Sequence, residues 1–174
     1  AKTFWPDGTG SPVTTVQFKK VKIKKGMTGS GFTQGIPYRY YENQGERWTG
    51  IPVWKRLSPL VLDTAVRISH ELRNREEDYG FVFEGYIRLA EDGVFTFYLD
   101  SDDGAKLYVD DKLVLDHDGV HGMVEKSGED ALGAGFHRIR VEYFQGTGGS
   151  GLNLRLKAPG RNKQEVGSDM LFHK

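Results

Sequence analysis

Apolar and polar residues alternate along most of the chain from Phe81 onward. Alternation with a period of two residues is typical of β-strands that bury one face in a core. The pattern assigns inward positions to Phe81, Phe83, Ile87, Leu89, Phe95, Phe97, Leu99, Leu107, Val109, Ile139, Val141, Tyr143, Leu152, Leu154 and Leu156. Because every clear signal in this part of the chain is a strand, we predict an all-β fold, an antiparallel β-sandwich.

The most regular part of the pattern surrounds the acidic sequence DSDDG, from Asp100 to Gly104. One predicted strand ends at this sequence and a second begins after it, which indicates a β-hairpin. The Asp-Gly step also suits a tight hairpin turn, since glycine accepts a positive φ and aspartate bonds to nearby backbone. The hairpin would place the acidic cluster at a sheet edge, facing solvent.

The first part of the chain is less regular. Residues Gly35 to Pro59 combine large aromatic side chains with prolines and glycines, which predicts an irregular, aromatic-rich coil with an extended start. These aromatic residues either stack on sugar rings or close the open ends of the sandwich core. Residues Leu57 to Arg75 allow at most one short helix, because Pro59 and several β-branched residues disfavour it.

The N-terminal residues differ from the rest of the chain. Residues 1–12 are rich in glycine and proline, and the stretch from Val16 to Lys25 mixes apolar residues with lysines. The lysines form either a phosphate-binding patch or, as we favour, the solvent side of an edge strand that resists aggregation. We predict a linker and edge-strand segment over residues 1–34 and the sandwich domain over residues 35–174.

Composition narrows the classes of function. The 174 residues include 24 Lys and Arg and 24 Asp and Glu, so net charge predicts neither a nucleic-acid partner nor an anionic membrane. No apolar run approaches the roughly 18 residues of a membrane span, so we expect no membrane insertion. The lack of cysteine excludes disulfides and thiol catalysis. Because the chain does not begin with methionine, we expect a processed chain or a piece of a larger one.

Several motifs lack the structural context that their chemistry needs. Gly146, Gly148 and Gly151 match the dinucleotide fingerprint G-x-G-x-x-G, but a strand pattern follows where that site needs a helix. His117 and His121 have the spacing of zinc ligands on a helix, yet glycines beside them disfavour a helix, which leaves a metal site or a polar loop. The sequence has no G-x-S-x-G elbow, while glycosidase catalysis by two carboxylates stays open.

The adjacent carboxylates of Asp102 and Asp103 are the strongest chemical candidate. Neighbouring carboxylates repel each other and supply hard oxygen ligands, so a calcium ion could relieve the repulsion and leave positions open for sugar hydroxyls. The alternative is a solvated turn. These residues are therefore the predicted metal ligands, with Ca²⁺ as the candidate cofactor.

The run GYIRLAEDGVFTFYLDSDDGAKLYVDDKLV, followed in order by HDGVHG, AGFHRIRVEYF and GLNLRLKAPG, resembles the PA14 domain family, named from the anthrax protective antigen. The resemblance covers roughly residues 35–171. It implies a β-sandwich module of the kind found in bacterial glycosidases, toxins and yeast adhesins. The sequences YRYYE, SDDG and DGVHG are especially similar to PA14 domains appended to exported glycoside hydrolases, including β-N-acetylhexosaminidases.

In the adhesin branch of this family, two aspartates joined by a cis peptide bond bind calcium, and the calcium binds glycan hydroxyls. The resemblance matches Asp102 and Asp103 to that pair. It also implies a contribution from the loop before the last sheet strand, where this chain has Gln145 and glycines instead of the asparagine and aromatic residue of that branch. The candidate carbohydrate-binding residues are Asp102, Asp103, Gln145, Asp118 and His121.

The first functional hypothesis is a non-catalytic carbohydrate-binding module at one end of a secreted bacterial glycoside hydrolase, with a parent similar to β-N-acetylhexosaminidases. Its partners would be glycans and a catalytic glycosidase domain in the same polypeptide, in a secreted, periplasmic or cell-surface setting. The alternative is a structural domain that docks on a catalytic domain and shapes its substrate pocket. A third hypothesis, a self-standing enzyme, requires hydrolysis by the isolated chain.

Overall fold

The computed structural model describes residues 1–15 and 20–174. Their strands are β1 (Thr33–Gln34), β2 (Ile36–Glu42), β3 (Val61–Ala65), β4 (Tyr79–Leu89), β5 (Gly93–Asp102), β6 (Ala105–Val109), β7 (Lys112–His117), β8 (Val124–Leu132), β9 (Gly135–Gln145), β10 (Gly151–Lys157), β11 (Lys163–Glu165) and β12 (Leu171–His173). Single 3₁₀ turns occupy Trp54–Arg56, His70–Leu72 and Ser168–Met170. None of the helical turns in these residues is long and apolar enough to cross a membrane.

The strands form two antiparallel sheets, which confirms the predicted fold class. The larger sheet has the strand order β1-β12-β4-β9-β6-β7, and β2 pairs with the first half of β4 while β3 pairs with β2. The smaller sheet has the order β11-β10-β5-β8. Strands β4 and β9 are each eleven residues long and pair along their whole length, so they form the centre of the larger sheet.

The core lies between the inner faces of the two sheets. All the residues that the alternation placed inward are buried, including the rings of Phe81 and Phe83 on β4 and of Phe97 on β5. Burial of such large apolar side chains contributes about 1.5–3 kcal/mol each. Tyr38 and Tyr40 on β2 extend the same core, so aromatic residues assigned to an irregular coil belong partly to a strand.

The predicted hairpin around the acidic turn is wrong. Strand β5 belongs to the smaller sheet and β6 to the larger one, so Asp102–Gly104 connects the two sheets at one end of the sandwich. Alternation specifies the buried face of each strand but not the sheet it joins, because a hairpin and a crossing bury the same residues. Gly104 is required at this crossing, since a Cβ there would lie 2.5 Å from the ring of Phe144.

Two other expectations change in the structure. The stretch considered for a short helix, Leu57 to Arg75, contains β3 and a single 3₁₀ turn, consistent with its β-branched residues. The predicted N-terminal edge strand lies partly outside the described residues, and its described part makes only an isolated bridge between Lys24 and Leu132. Lys24 also pairs with Asp130 at 2.7 Å, so this lysine is anchored rather than solvated.

The aromatic residues outside β2 cover the outer face of the larger sheet. Trp54 packs against Tyr41 with ring centroids 4.9 Å apart, and Trp48 meets Trp54 edge to face. Together with Val82 they form a second apolar cluster that covers one end of that face. These rings therefore stabilise the fold by packing, but on the outer face of the larger sheet and not at the open ends of the core as one interpretation of the coil proposed.

Candidate functional site

Three loops converge at the end of the sandwich where the chain crosses between sheets. The acidic turn, Asp102–Gly104, lies beside the loop 118–123 between β7 and β8 and the loop 146–150 between β9 and β10. The peptide bond between Asp102 and Asp103 is cis. The glycine-rich loop 146–150 thus lies at the same end of the sheet stack as the acidic turn.

Asp103 joins the other two loops to the acidic turn. Its Oδ1 atom accepts a hydrogen bond from the backbone N–H of His121 at 3.0 Å, and Oδ2 accepts one from the N–H of Gly146 at 2.8 Å. The residue is only 2% exposed. The expectation that the acidic cluster faces solvent is therefore wrong for Asp103, because the neighbouring loops cover it and use its charge to satisfy their amides.

Asp102 remains partly exposed beside Asp103. Its carboxylate faces the glycine-rich loop, where a Cβ on Gly149 would lie 2.7 Å from Oδ2, so a larger residue at position 149 would have to displace the carboxylate. Burial raises the pKa of Asp102, and the nearby charge of Asp103 raises it further. The turn therefore holds two like charges whose repulsion a bound cation would relieve.

A buried hydroxyl supports the acidic turn from the core. The hydroxyl of Tyr143 lies 2.6 Å from the carbonyl oxygen of Asp102 and 2.9 Å from Oε1 of Gln145, two acceptors that share its single proton. Burial raises the pKa of Tyr143, so the hydroxyl keeps that proton. Sequence reasoning placed Tyr143 in the core by its alternation, but no signal in the sequence indicated its contact with the turn.

Gln145 lies beneath the glycine-rich loop. It is fully buried, and its Nε2 atom donates to the carbonyl oxygen of Gly149 at 2.6 Å while Oε1 faces the Tyr143 hydroxyl. In this position the side chain does not reach the surface as a glycan contact would. Its role in the structure is to hold the loop 146–150 against the acidic turn.

Asp118 is bound on several sides by its own neighbours. Its Oδ1 atom accepts hydrogen bonds from the N–H groups of Ile51 and Gly119, and Oδ2 pairs with the Lys106 ammonium at 2.8 Å. Burial acts to raise the pKa of Asp118, but the hydrogen bonds from Lys106 and Ile51 outweigh it and the pKa is lowered. This acid stabilises the loop 118–123 as a charged residue.

The imidazole of His121 is stacked on that of His117, with ring centroids 3.9 Å apart. The ring nitrogens of His121 lie near the carbonyl oxygens of Gly122 and His117. Burial and the neighbouring His121 lower the pKa of His117. Stacked rings do not direct their nitrogens at a common ion, and Nε2 of His117 likewise lies 3.1 Å from the carbonyl oxygen of Val124. Of the two alternatives, these contacts favour the polar loop.

Exposed apolar side chains border the acidic turn, a feature that sequence reasoning missed. Val120 and Met123 are 62% and 54% exposed, and a Cβ on Gly151 would lie 2.7 Å from the Met123 sulfur. The signal available in the sequence was an apolar pair in a loop that no strand pattern explains. An apolar surface beside paired carboxylates can meet both the C–H groups and the hydroxyls of a sugar.

The donor set of the turn fits a calcium ion. Ca²⁺ prefers six to eight oxygen ligands, often from carboxylates and backbone carbonyls. Each oxygen of Asp103 accepts one N–H and keeps a second lone pair, and Asp102 contributes a carboxylate with a raised pKa. Since these are the only two acids of the turn, waters, backbone carbonyls or ligand hydroxyls would complete the coordination.

The chain is similar in fold to several solved structures. It matches the PA14 sugar-binding domain from an RTX adhesin with a TM-score of 0.68 at 20% identity, covering 81% of this chain and 99% of that one. An anti-sigma factor domain-containing protein from Clostridium clariflavum gives a TM-score of 0.68 at 24% identity, covering 82% of this chain and 48% of that one. A β-glucosidase from Kluyveromyces marxianus gives a TM-score of 0.53 at 21% identity, covering 72% of this chain and 17% of that one.

The chain spans about half the length of the clostridial protein and a smaller part of the β-glucosidase. No curated protein matches the sequence. The family model of the PA14 domain matches residues 69–170, which include the acidic turn, both neighbouring loops and all the strands from β4 to β11. This chain belongs to the PA14 domain family.

Proposed function

We propose that the domain binds glycans at the surface formed by the acidic turn and its two neighbouring loops, with Asp102 and Asp103 holding a calcium ion. The observation that carries this proposal is the pair of adjacent carboxylates, one anchored by two loops and the other partly exposed with a raised pKa. A solved relative of similar fold is described as a sugar-binding PA14 domain, which supports the same function here.

Each residue of the turn has a distinct part in this proposal. Asp103 fixes the two loops, and Asp102 presents its carboxylate beside them. A calcium ion bound there would supply positive charge and open coordination positions for vicinal sugar hydroxyls. Val120 and Met123 would pack against the apolar face of the ring, and Asp118 and His121 would act by holding the loop that carries them.

Calorimetric titration of the isolated chain with calcium tests the metal. We expect binding in the range of about 0.1–1 mM, as in extracellular modules. Asp102→Asn should abolish it, while Asp169→Asn, an exposed acid on a 3₁₀ turn, should leave it unchanged. Absence of binding by the folded wild-type chain would contradict the calcium site.

A glycan array measured with calcium and with chelator tests the ligand. Binding that requires calcium and is lost in Asp102→Asn supports the proposal. Silence across the array in both conditions would contradict glycan binding at this surface.

For the whole protein we propose a secreted, periplasmic or cell-surface bacterial glycoside hydrolase of which this domain is one end, with a parent similar to β-N-acetylhexosaminidases. The similarity of this chain to part of a β-glucosidase supports a glycosidase setting. In this proposal the chain itself has no catalytic role. Hydrolysis of aryl glycosides by the isolated chain, lost when carboxylates are substituted, would contradict it.

The second candidate function is docking on a catalytic domain to shape its pocket. One observation favours it: Leu60 and Leu62, at the edge strand β3, are more than half exposed, and Val53 and Val66 extend the same apolar character. Exposed apolar side chains in a group mark interaction surfaces. Replacing Leu60 and Leu62 by serine should change the substrate preference of the parent enzyme if the domain docks there, and leave it unchanged if the domain only binds glycans.

A further inference from the structure

We propose a second binding site, for an acidic saccharide, in a cavity on the outer face of the larger sheet. The cavity has a volume of about 460 Å³, within the range of small-molecule sites. Residues of β2, β4, β6, β9 and β12 line it together with Asp111 and Lys174, and no residue of the acidic turn or its neighbouring loops does. It is therefore separate from the surface proposed above for calcium and glycans. The carboxylate of Glu84 in this lining is paired with Arg39 at 2.6 Å.

Two tyrosines form aromatic walls on either side of β9. Tyr86 projects from β4 opposite Arg138, and Tyr108 projects from β6 opposite Arg140. The ring of Tyr86 is held edge to face by Phe32 at a centroid distance of 5.1 Å. Aromatic rings held at the sides of a cavity match the apolar C–H faces of a sugar ring.

Arg138 places a positive charge in the cavity, and a ligand can replace its present ion-pair partner. Its guanidinium pairs with the carboxylate of Asp111, and the two side chains are 57% and 72% exposed. Such an exposed pair contributes only about 0–1 kcal/mol, so its loss is a small cost. A ligand carboxylate can thus take the place of Asp111 on the guanidinium, with the two parallel hydrogen bonds that arginine offers.

Arg140 lies in the adjacent row of the same face. One of its terminal nitrogens binds the buried carboxylate of Glu142, and its guanidinium carbon lies 5.4 Å from the centre of the Tyr108 ring. Its Nε atom is buried and has no hydrogen-bond partner among the described residues. This nitrogen is shielded from solvent, whereas the Arg140 side chain as a whole is 41% exposed, so a ligand oxygen in the cavity would meet the guanidinium at its terminal nitrogens.

Two guanidinium groups and two aromatic walls together define the ligand class. A neutral sugar could stack on the tyrosines but would leave Arg138 with Asp111, and a simple carboxylate would have no ring to stack. A uronic acid, which carries a carboxylate on a pyranose ring, uses both features. The proposed ligand is accordingly a uronate unit of an acidic glycan.

Titration of the isotopically labelled chain with methyl β-D-glucuronide, followed by amide NMR shifts, tests the site. We expect saturable shifts of Tyr86, Tyr108, Arg138 and Arg140, with the neutral methyl β-D-glucoside binding at least about tenfold more weakly. Arg138→Gln should weaken glucuronide binding about tenfold, and Asp111→Asn should strengthen it because the competing carboxylate is gone. The control Arg67→Gln, an exposed arginine similarly paired with Glu71, should have no effect.

The proposal would be overturned if the glucuronide did not bind or if the glucoside bound equally well. It would also be overturned if acetate displaced the glucuronide at equal concentration, or if Arg138→Gln left the affinity unchanged. The titration is repeated with chelator and in Asp102→Asn, where binding should persist. Shifts centred on residues 102–104 would overturn the cavity site while supporting glycan binding at the turn. Cavity binding without any calcium response would support the cavity and contradict the calcium site, so the two failures are distinguishable.

Discussion

The chain contains two Asp-Asp pairs, one at each end of the short strand β6, and the two pairs have different structural roles. Asp110 and Asp111 both have positive φ, 47° and 63°, and connect β6 to β7 within one sheet. This is a two-residue hairpin with the left-handed central residues of a type I′ turn. Asp102 and Asp103 instead precede β6 where the chain crosses between sheets, joined by a cis bond.

The partners of the two pairs differ as much as their backbones. Asp110 accepts hydrogen bonds from the neighbouring strand, with its Oδ1 atom 3.0 Å from the Arg138 N–H, and Asp111 pairs with the exposed Arg138 side chain. Asp103 accepts its bonds from two separate loops and is buried by them. Oδ2 of Asp110 also lies 2.7 Å from Nδ1 of the buried His137, so both pairs contact residues far along the chain. The first pair contacts one neighbouring strand of its own sheet, whereas Asp103 joins two loops to the crossing between the sheets.

The largest difference should follow from removing one carboxylate of each pair. Asp103→Ala leaves the amides of His121 and Gly146 without their charged acceptor, which should lower the free energy of unfolding by about 3 kcal/mol. Asp111→Ala should cost less than about 1 kcal/mol, because its partner is exposed and solvated. Denaturant unfolding of both variants with the wild type measures the difference.

Asp103→Asn is the matched control for shape, since it keeps one acceptor oxygen while losing the charge. Its free energy of unfolding should lie between those of the wild type and of Asp103→Ala. Equal, small effects of Asp103→Ala and Asp111→Ala would mean that the two pairs are equivalent turns, contrary to the anchoring role.

The buried support of the crossing should have a smaller effect than the loss of the Asp103 carboxylate. Tyr143→Phe removes the hydroxyl that meets the Asp102 carbonyl and Gln145, so unfolding should become easier by about 1–2 kcal/mol. Tyr108→Phe on the outer face of the same sheet is the matched control, because no hydrogen bond among the residues that the structure describes joins Tyr108 to the acidic turn. Thermal unfolding of the two variants should separate them, and equal melting temperatures would show that the Tyr143 hydroxyl does not support the turn.

Exchanging each pair for Asp-Gly tests the turn chemistry directly. Asp-Gly is a preferred type I′ sequence and keeps the Asp110 carboxylate, which lies 2.7 Å from Nδ1 of the buried His137, so at residues 110 and 111 the exchange should change stability by no more than about 1 kcal/mol in either direction. The same exchange at residues 102 and 103 should be far more costly, because glycine supplies no acceptor to the loops. Denaturation midpoints measure both, and a tolerated exchange at the crossing would show that the loops do not depend on Asp103.

The sequence predicted the strands and the core better than the connections. Alternation fixed the burial of Phe97 on β5 and of Leu107 on β6, because a strand has only two faces. It could not distinguish a hairpin from a crossing between sheets, and the Asp-Gly step at residue 103 favoured the wrong position. The actual hairpin, at Asp110 and Asp111, lacks a glycine in its turn and was missed.

The candidate site divides in the same way. Asp102 and Asp103 were found because adjacent acids are visible in a sequence and match a family motif. The bond between Asp103 and Gly146 joins residues 43 positions apart, and no local pattern encodes it. Gln145 was assigned by its position in the loop, but its burial depends on the packing of Tyr143 and Gly149, which only the folded chain reveals.

The smallest expected effect concerns the pH dependence of the two loop acids. The pKa of Asp102 is raised in the folded chain. The contribution of this group to the free energy of unfolding is therefore lowest at pH values above its folded pKa. Without calcium, Asp102→Asn should therefore stabilise the chain slightly at neutral pH, by less than about 1 kcal/mol because the group is partly solvated. The gain should vanish below the ordinary pKa of aspartate, where wild type and variant carry the same charge.

Asp118 has a lowered pKa, so Asp118→Asn should have the opposite effect. It should destabilise the chain at neutral pH, and this effect should be lost as the pH falls through the folded pKa. Urea unfolding from pH 3 to pH 7 in chelator measures both, and opposite signs are expected. A destabilised Asp102→Asn at neutral pH would show that this carboxylate is already stabilised by protein partners and does not need a cation.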